Sequence, residues 1–185
     1  MINAVLVFNN SGQPRLTKFY TQLDTSVQQR LISEIFTLVS NRPASACNFL
    51  PLPPLLAPPS TSTTTTDPGH YSDNPTNITY RHYATLYFIL ISTSTESPLA
   101  LLDLIQVFVE SLDSLFNNVC ELDLIFNFEA MHACLAEMVV GGVVVETRVK
   151  EIVKGVRDSD KGSVRGKEPK MGPVGAVGRG MWAGR

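Results

Sequence analysis

Cysteine, histidine and tryptophan are scarce in these 185 residues, at three, three and one. Cys47, Cys120 and Cys134 are odd in number and none sits at CxxC spacing. That argues against a disulfide framework and fits thiols used as small hydrophobes in a reducing compartment. His70, His82 and His132 are scattered, so neither a metal cluster nor a cofactor is expected. No apolar run approaches the length of a membrane-spanning helix, the longest being residues 86–91, a strand's length. The apolar stretch 4–8 near the start has no basic flank and no cleavage pattern, so it reads as a first strand and not a signal peptide. GxSxG, Walker and HExxH motifs are all missing. Gly141-Gly142 follows a helical pattern instead of preceding one, which makes it a turn and not a phosphate loop. The chain is expected not to be an enzyme.

What remains is enough for one sizeable core, at 44% hydrophobic content. Charge is unevenly spread. Residues 1–155 carry 8 Lys and Arg against 14 Asp and Glu, and residues 156–185 carry 7 against 3. An acidic body with a mildly basic, Gly-rich end argues against nucleic acid as a partner.

Residues 4–8 are apolar on both parities, as in a strand covered on both faces, and belong inside a sheet. NNSG at 9–12 supplies hairpin turn chemistry, and RLTKFY at 15–20 alternates. A helix follows. Thr25 suits its N-cap with Gln28 completing a capping box, Val27, Leu31, Ile35, Leu38 and Val39 form its buried stripe, and Pro43 stops it. Residues 47–50 form a short strand candidate. Residues 51–77 hold seven of the twelve prolines and a Ser/Thr run at 60–66, and read as a disordered loop. Strands at 78–84 and 86–93 can form a hairpin.

Ser97-Pro98 opens a helix over 98–116, with Asp103, Gln106, Glu110 and Asp113 on one narrow polar face. Its apolar arc, Leu101 to Leu115, is wider than one sheet contact needs. Either the helix is sandwiched within its own domain, the commoner case, or part of the arc is kept for another subunit. A further helix is expected at 126–140 and a last one at 145–156, with a polar, Gly-rich tail over 157–185. Strands and helices in this order describe an antiparallel sheet with helices packed on it, an α+β domain.

Two blocks are the most distinctive: ITYRHYATLYFILI at 78–91 and FNNVCELDLIFNF at 116–128. Both closely resemble the small, sigma subunits of the heterotetrameric clathrin-adaptor complexes, and LLDLIQVFVESLD with VGGVVVET looks most like the third adaptor type. The resemblance covers residues 1–156 apart from the Pro-rich insertion. It implies a longin-like fold, a five-stranded antiparallel sheet flanked by helices. It also implies a place beside one large adaptin, in a complex with a second large and a medium subunit. Such a complex would serve transport from Golgi or endosomes to vacuoles or lysosomes. Membrane association would be indirect, through the complex.

By itself Arg15 would be a surface residue at a strand start. The match over NNSGQPRLTKFY implies instead that Arg15 sits beside a site for acidic dileucine sorting signals, [DE]xxxL[LI], on the cytoplasmic tails of membrane cargo. A guanidinium fork complements a carboxylate and stays charged. The resemblance further implies a leucine pocket lined by Ala84, Leu86, Val109, Val119, Leu122 and Leu124, with Asn118 at its rim. Without the resemblance these apolar residues would simply be core. Glu121 and Asp123 are expected to orient the rim segment without touching ligand. The competing expectation is a longin-fold scaffold or regulatory subunit with no cargo pocket of its own.

Overall fold

Five strands form one antiparallel sheet in the order β2-β1-β5-β4-β3: β1 (Ile2–Asn9), β2 (Pro14–Phe19), β3 (Phe49–Pro51), β4 (Thr76–Tyr83) and β5 (Leu86–Thr93). The computed structural model describes residues 1–43, 45–52 and 76–165. The expected α+β class and the five-stranded sheet with helices are both present. β1 is paired on both sides, next to the middle strand β5.

Alternation along β1 builds two cores, because successive side chains leave opposite faces. Ala4, Leu6 and Phe8 meet Leu31, Ile35 and Val39 of α1 (Thr25–Ser40). Val5 and Val7 meet α2 (Pro98–Phe116), α4 (Phe128–Met138) and α5 (Val149–Arg165) through Leu104, Phe108, Met131, Met138 and Ile152. The pairing shifts between Ile2 and Ala4, and Ile2 joins Val5 in the second core despite its even number.

Several element ends differ from expectation. The helix α1 starts at Thr25, so Asp24 is its N-cap and the Thr25–Gln28 capping box does not form. Gln28 Nε2 instead donates to Leu23 O at 2.8 Å. Leu52, placed by its prolines in the loop, is buried against the α1 core, and Pro51, Thr76 and Asn77 belong to strands. The rest of the expected insertion, including the Ser/Thr run, lies outside the described residues.

Most of the wide arc of α2 is used within the domain, while Val109 and Leu115 of it are only half-buried. Leu101, Leu104, Ile105, Phe108 and Leu112 are buried among the sheet, α4 and α5. Large apolar side chains are exposed at Leu99 in the first turn of α2, 68% accessible, and at Leu122, Phe126 and Phe128, 60%, 78% and 54% accessible.

The single helix expected at 126–140 is divided and displaced. A six-residue helix, α3 (Glu121–Phe126), precedes α4, with Asn127 between them. A capping box starts α3, the Asp123 carboxylate accepting the Cys120 N–H at 2.8 Å. Val139 leaves the helix for a short hairpin, β6 (Val139–Val140) with β7 (Val143–Val144), turned by Gly141 and Gly142 at φ +59° and +83°. β-branched residues around Gly-Gly favour that turn over more helix. The last helix starts at Val149 and not 145, because Glu146 accepts the Thr147 and Arg148 amides, both at 2.9 Å, just ahead of it. It then continues past residue 156, where the tail was expected to begin, to Arg165. Residues 166–185 lie outside the description.

Candidate functional site

One end of the sheet collects three turns. Asn9 pairs with Leu86 across β1 and β5, so the β1–β2 turn lies beside the β4–β5 turn at Ala84 and Thr85. The α2–α3 connection, Asn117 to Cys120, joins them through the first residue of α3, Glu121. Three non-glycine residues among those described have left-handed backbone, Ala84, Asn117 and Asn118, at φ 51°, 53° and 76°. All three stand at this end. Such conformations cost about 1–3 kcal/mol each and persist where surrounding contacts hold them.

A polar network ties the turns together. Asn9 Oδ1 accepts the Ser11 and Gln13 amides at 3.0 and 2.8 Å, which shapes the β1–β2 turn and frees Nδ2 to donate outward. Nδ2 reaches Glu121 Oε1 at 3.0 Å. The same oxygen accepts from Arg15 Nε at 3.1 Å and Arg15 Nη2 at 2.7 Å, and Nη2 also donates to Gln13 Oε1 at 3.0 Å. The Arg15 and Glu121 side chains are 19% and 26% accessible. Donation from Arg15, then Asn9, outweighs partial desolvation and holds the Glu121 carboxyl below the usual carboxylate range.

Each residue expected in the site has a definite place. Arg15 is half-buried at the rim, Ala84 is exposed in the β4–β5 turn, and Asn118 is exposed in the α2–α3 turn. Val109 and Val119 are half-buried against the core. Leu122 points outward, whereas Leu86 and Leu124 are interior at 6% and 1% accessibility. Leu86 and Leu124 thus belong to the second core and Val109 and Val119 pack on it, whereas Arg15, Ala84, Asn118 and Leu122 are half-buried or exposed.

Asp123 caps α3, and Asp113 Oδ1 accepts the Val119 N–H at 3.1 Å. Glu121 does more than orient, since it ion-pairs with Arg15. Asn9 and Gln13 were missed altogether. Their signal was the NNSG turn, where an Asn side chain commonly bonds its own backbone, and the i, i+2 spacing that puts Gln13 on the Arg15 face.

Among the described residues no group of three or more His, Cys, Asp and Glu gathers to hold a metal ion. No described helix is long and apolar enough to cross a membrane.

The clathrin adaptor complex small chain family matches residues 1–163. The chain is 54% identical over 153 residues to the AP-3 complex subunit sigma of Schizosaccharomyces pombe, covering 83% of this chain and 82% of that one. It is 42% identical over 185 residues to the AP-3 complex subunit sigma of Arabidopsis thaliana, covering 100% of both. Against the human AP-3 complex subunit sigma-2 it is 47% identical over 153 residues, covering 83% and 72%. A structure described as a homology model of the full-length AP-3 complex in a stretched open conformation superposes with a TM-score of 0.64. Identity there is 42%, covering 90% of this chain and 97% of that one.

Proposed function

The chain belongs to the clathrin adaptor complex small chain family, and from that membership we propose how it works as the small subunit of a vesicle-coat adaptor. It helps select membrane cargo by binding acidic dileucine signals at the end of its sheet. It does so within a complex of two large subunits and one medium subunit, packed directly against one large subunit. The complex serves transport from Golgi or endosomes to vacuoles or lysosomes and sits peripherally on those membranes.

The observation that carries the reading is the neighbourhood of Arg15. Its guanidinium lies at a rim shared with Asn118, Ala84 and the helix bearing Leu122, while Val109 and Val119 offer half-buried apolar surface nearby. A cation next to an apolar floor fits a ligand with an acid a few residues before a leucine pair.

Magnitudes favour weak single contacts. Two buried leucines bring about 3–6 kcal/mol, and a charge-assisted bond adds about 1.5–3 kcal/mol. Ordering a flexible cargo tail costs about 2–5 kcal/mol. The net, no more than about 7 kcal/mol, corresponds to millimolar to micromolar affinity, and several such contacts on one membrane raise it by avidity.

Equilibrium binding of an acidic dileucine peptide to the assembled complex tests this. Arg15→Ser and Val119→Ser should each weaken binding, and only the Arg15 effect should shrink with added salt. Equal binding by wild type and both variants would reject the cargo role. The second reading, a scaffold subunit with no cargo pocket, is favoured by one observation: Leu86 and Leu124 are already packed inside.

A further inference from the structure

Glu121 has the densest set of donors at the rim. One of its oxygens, Oε1, accepts three hydrogen bonds: from Arg15 Nε at 3.1 Å, Arg15 Nη2 at 2.7 Å and Asn9 Nδ2 at 3.0 Å. Arg15 thereby commits its Nε–Nη2 edge to an internal carboxylate and the other Nη2 proton to Gln13. Nη1 makes no hydrogen bond among the described residues. An incoming carboxylate cannot take the Nε–Nη2 edge in bidentate form unless Glu121 yields it. It otherwise meets a guanidinium whose charge is already matched.

Sequence adjacency adds a second constraint. Glu121 is followed directly by exposed Leu122 and preceded, two positions earlier, by Val119, so one short helix start holds the acid and the apolar rim. Whatever leans on Val119 and Leu122 leans on the segment that presents Glu121 to Arg15.

We infer that Glu121 is a specificity-determining residue, an internal competitor that sets how strongly Arg15 recognises an acid on the ligand. This rests on the cargo reading proposed above. Glu121 keeps the acid contact weak, so that a carboxylate alone does not hold a ligand and the leucines must also bind.

The test uses the assembled complex and two peptides, an acidic dileucine peptide and its analogue with the acid replaced by Ala. Glu121→Gln removes the charge while keeping an oxygen that Arg15 and Asn9 can bond. It should bind the acidic peptide roughly two- to fivefold tighter than wild type. The analogue should bind unchanged, and the gain should shrink with salt and vanish in an Arg15→Ser background. Glu121→Ala should change affinity in the same direction, which keeps the test decisive if one variant fails to assemble. A wild type that prefers the acidic peptide, combined with Glu121 variants that bind it equally or more weakly, overturns this inference alone. Glu121 would then be a pin holding α3 to the sheet. An equal gain for both peptides also overturns it. A wild type blind to the acid and to Arg15→Ser overturns the cargo reading, and this inference with it.

Discussion

Leu122 and Leu124 stand two positions apart on one short helix and have opposite environments, Leu122 being 60% accessible and Leu124 1%. Truncating them should separate binding from stability. Leu124→Ala should destabilise the chain by about 2–5 kcal/mol, the cost of a core cavity. Leu122→Ser should stay within about 0.5 kcal/mol of wild type, yet weaken dileucine peptide binding. Thermal melts and peptide titrations of the same complexes check both. Comparable destabilisation by the two variants would contradict the assignment.

The two glycines of the β6–β7 turn should respond unequally to alanine. At Gly142 a methyl group would run into Ile2 O, part of the backbone that also bonds Gly142 O through Ile2 N at 2.8 Å. At Gly141 nothing lies within 4 Å, and only the positive φ opposes a side chain. Gly141→Ala should cost about 1–2 kcal/mol, and Gly142→Ala clearly more. Urea unfolding of the two variants gives the comparison.

Residues 53–75 should be removable. Leu52 N donates to Thr76 O at 2.8 Å, so the two ends of that stretch are already neighbours and a short Gly/Ser link can close them. Shortening a loop lowers its closure entropy only slowly with length, so stability should hold or rise by about 1 kcal/mol. A large drop in melting temperature would mean that the excised segment packs on the domain.

Acid should uncouple Glu146. Hydrogen bonds from the Arg148 side chain, then from the Arg148 and Thr147 amides, bring its carboxyl from 4.5 down to about 2. A depressed folded value means the carboxylate form favours the fold. Its contribution is complete above 4.5 and disappears as pH falls towards 2. The melting-temperature gap between wild type and Glu146→Gln should therefore narrow across that window. A constant gap would show that the charge is not what matters.

Legibility in the sequence followed the range of the interaction that decides each feature. Residues 4–8, apolar on both parities, announced an interior strand, because burial on two faces is a local pattern. The Pro98 start and the five buried apolar positions of α2 were readable for the same reason, though buried Ser111 was not. The α3 start at Glu121 was not, since only the Cys120–Asp123 box marks it, and the division at Asn127 has no side-chain cap to announce it. Long-range pairs were least readable. Arg15 and Glu121 are 106 positions apart, and neither residue's neighbours signal the other. Family resemblance placed Arg15 at the rim but left its partner unassigned. By pattern alone Leu86 and Leu124 read as core, and both are interior, while a pocket role for them was implied only by the resemblance.

Helices cover both faces of the sheet, which divides the chain's freedom to vary. Substitutions at the buried strand positions are answered by one core or the other and cost stability whatever their effect on ligands. In the turns at 10–13, 84–85 and 117–119 every residue but Gly12 and Val119 is exposed, so most changes there leave both cores intact. A chain built this way can therefore change its ligand preference at exposed turn positions while the sheet and its two cores stay the same.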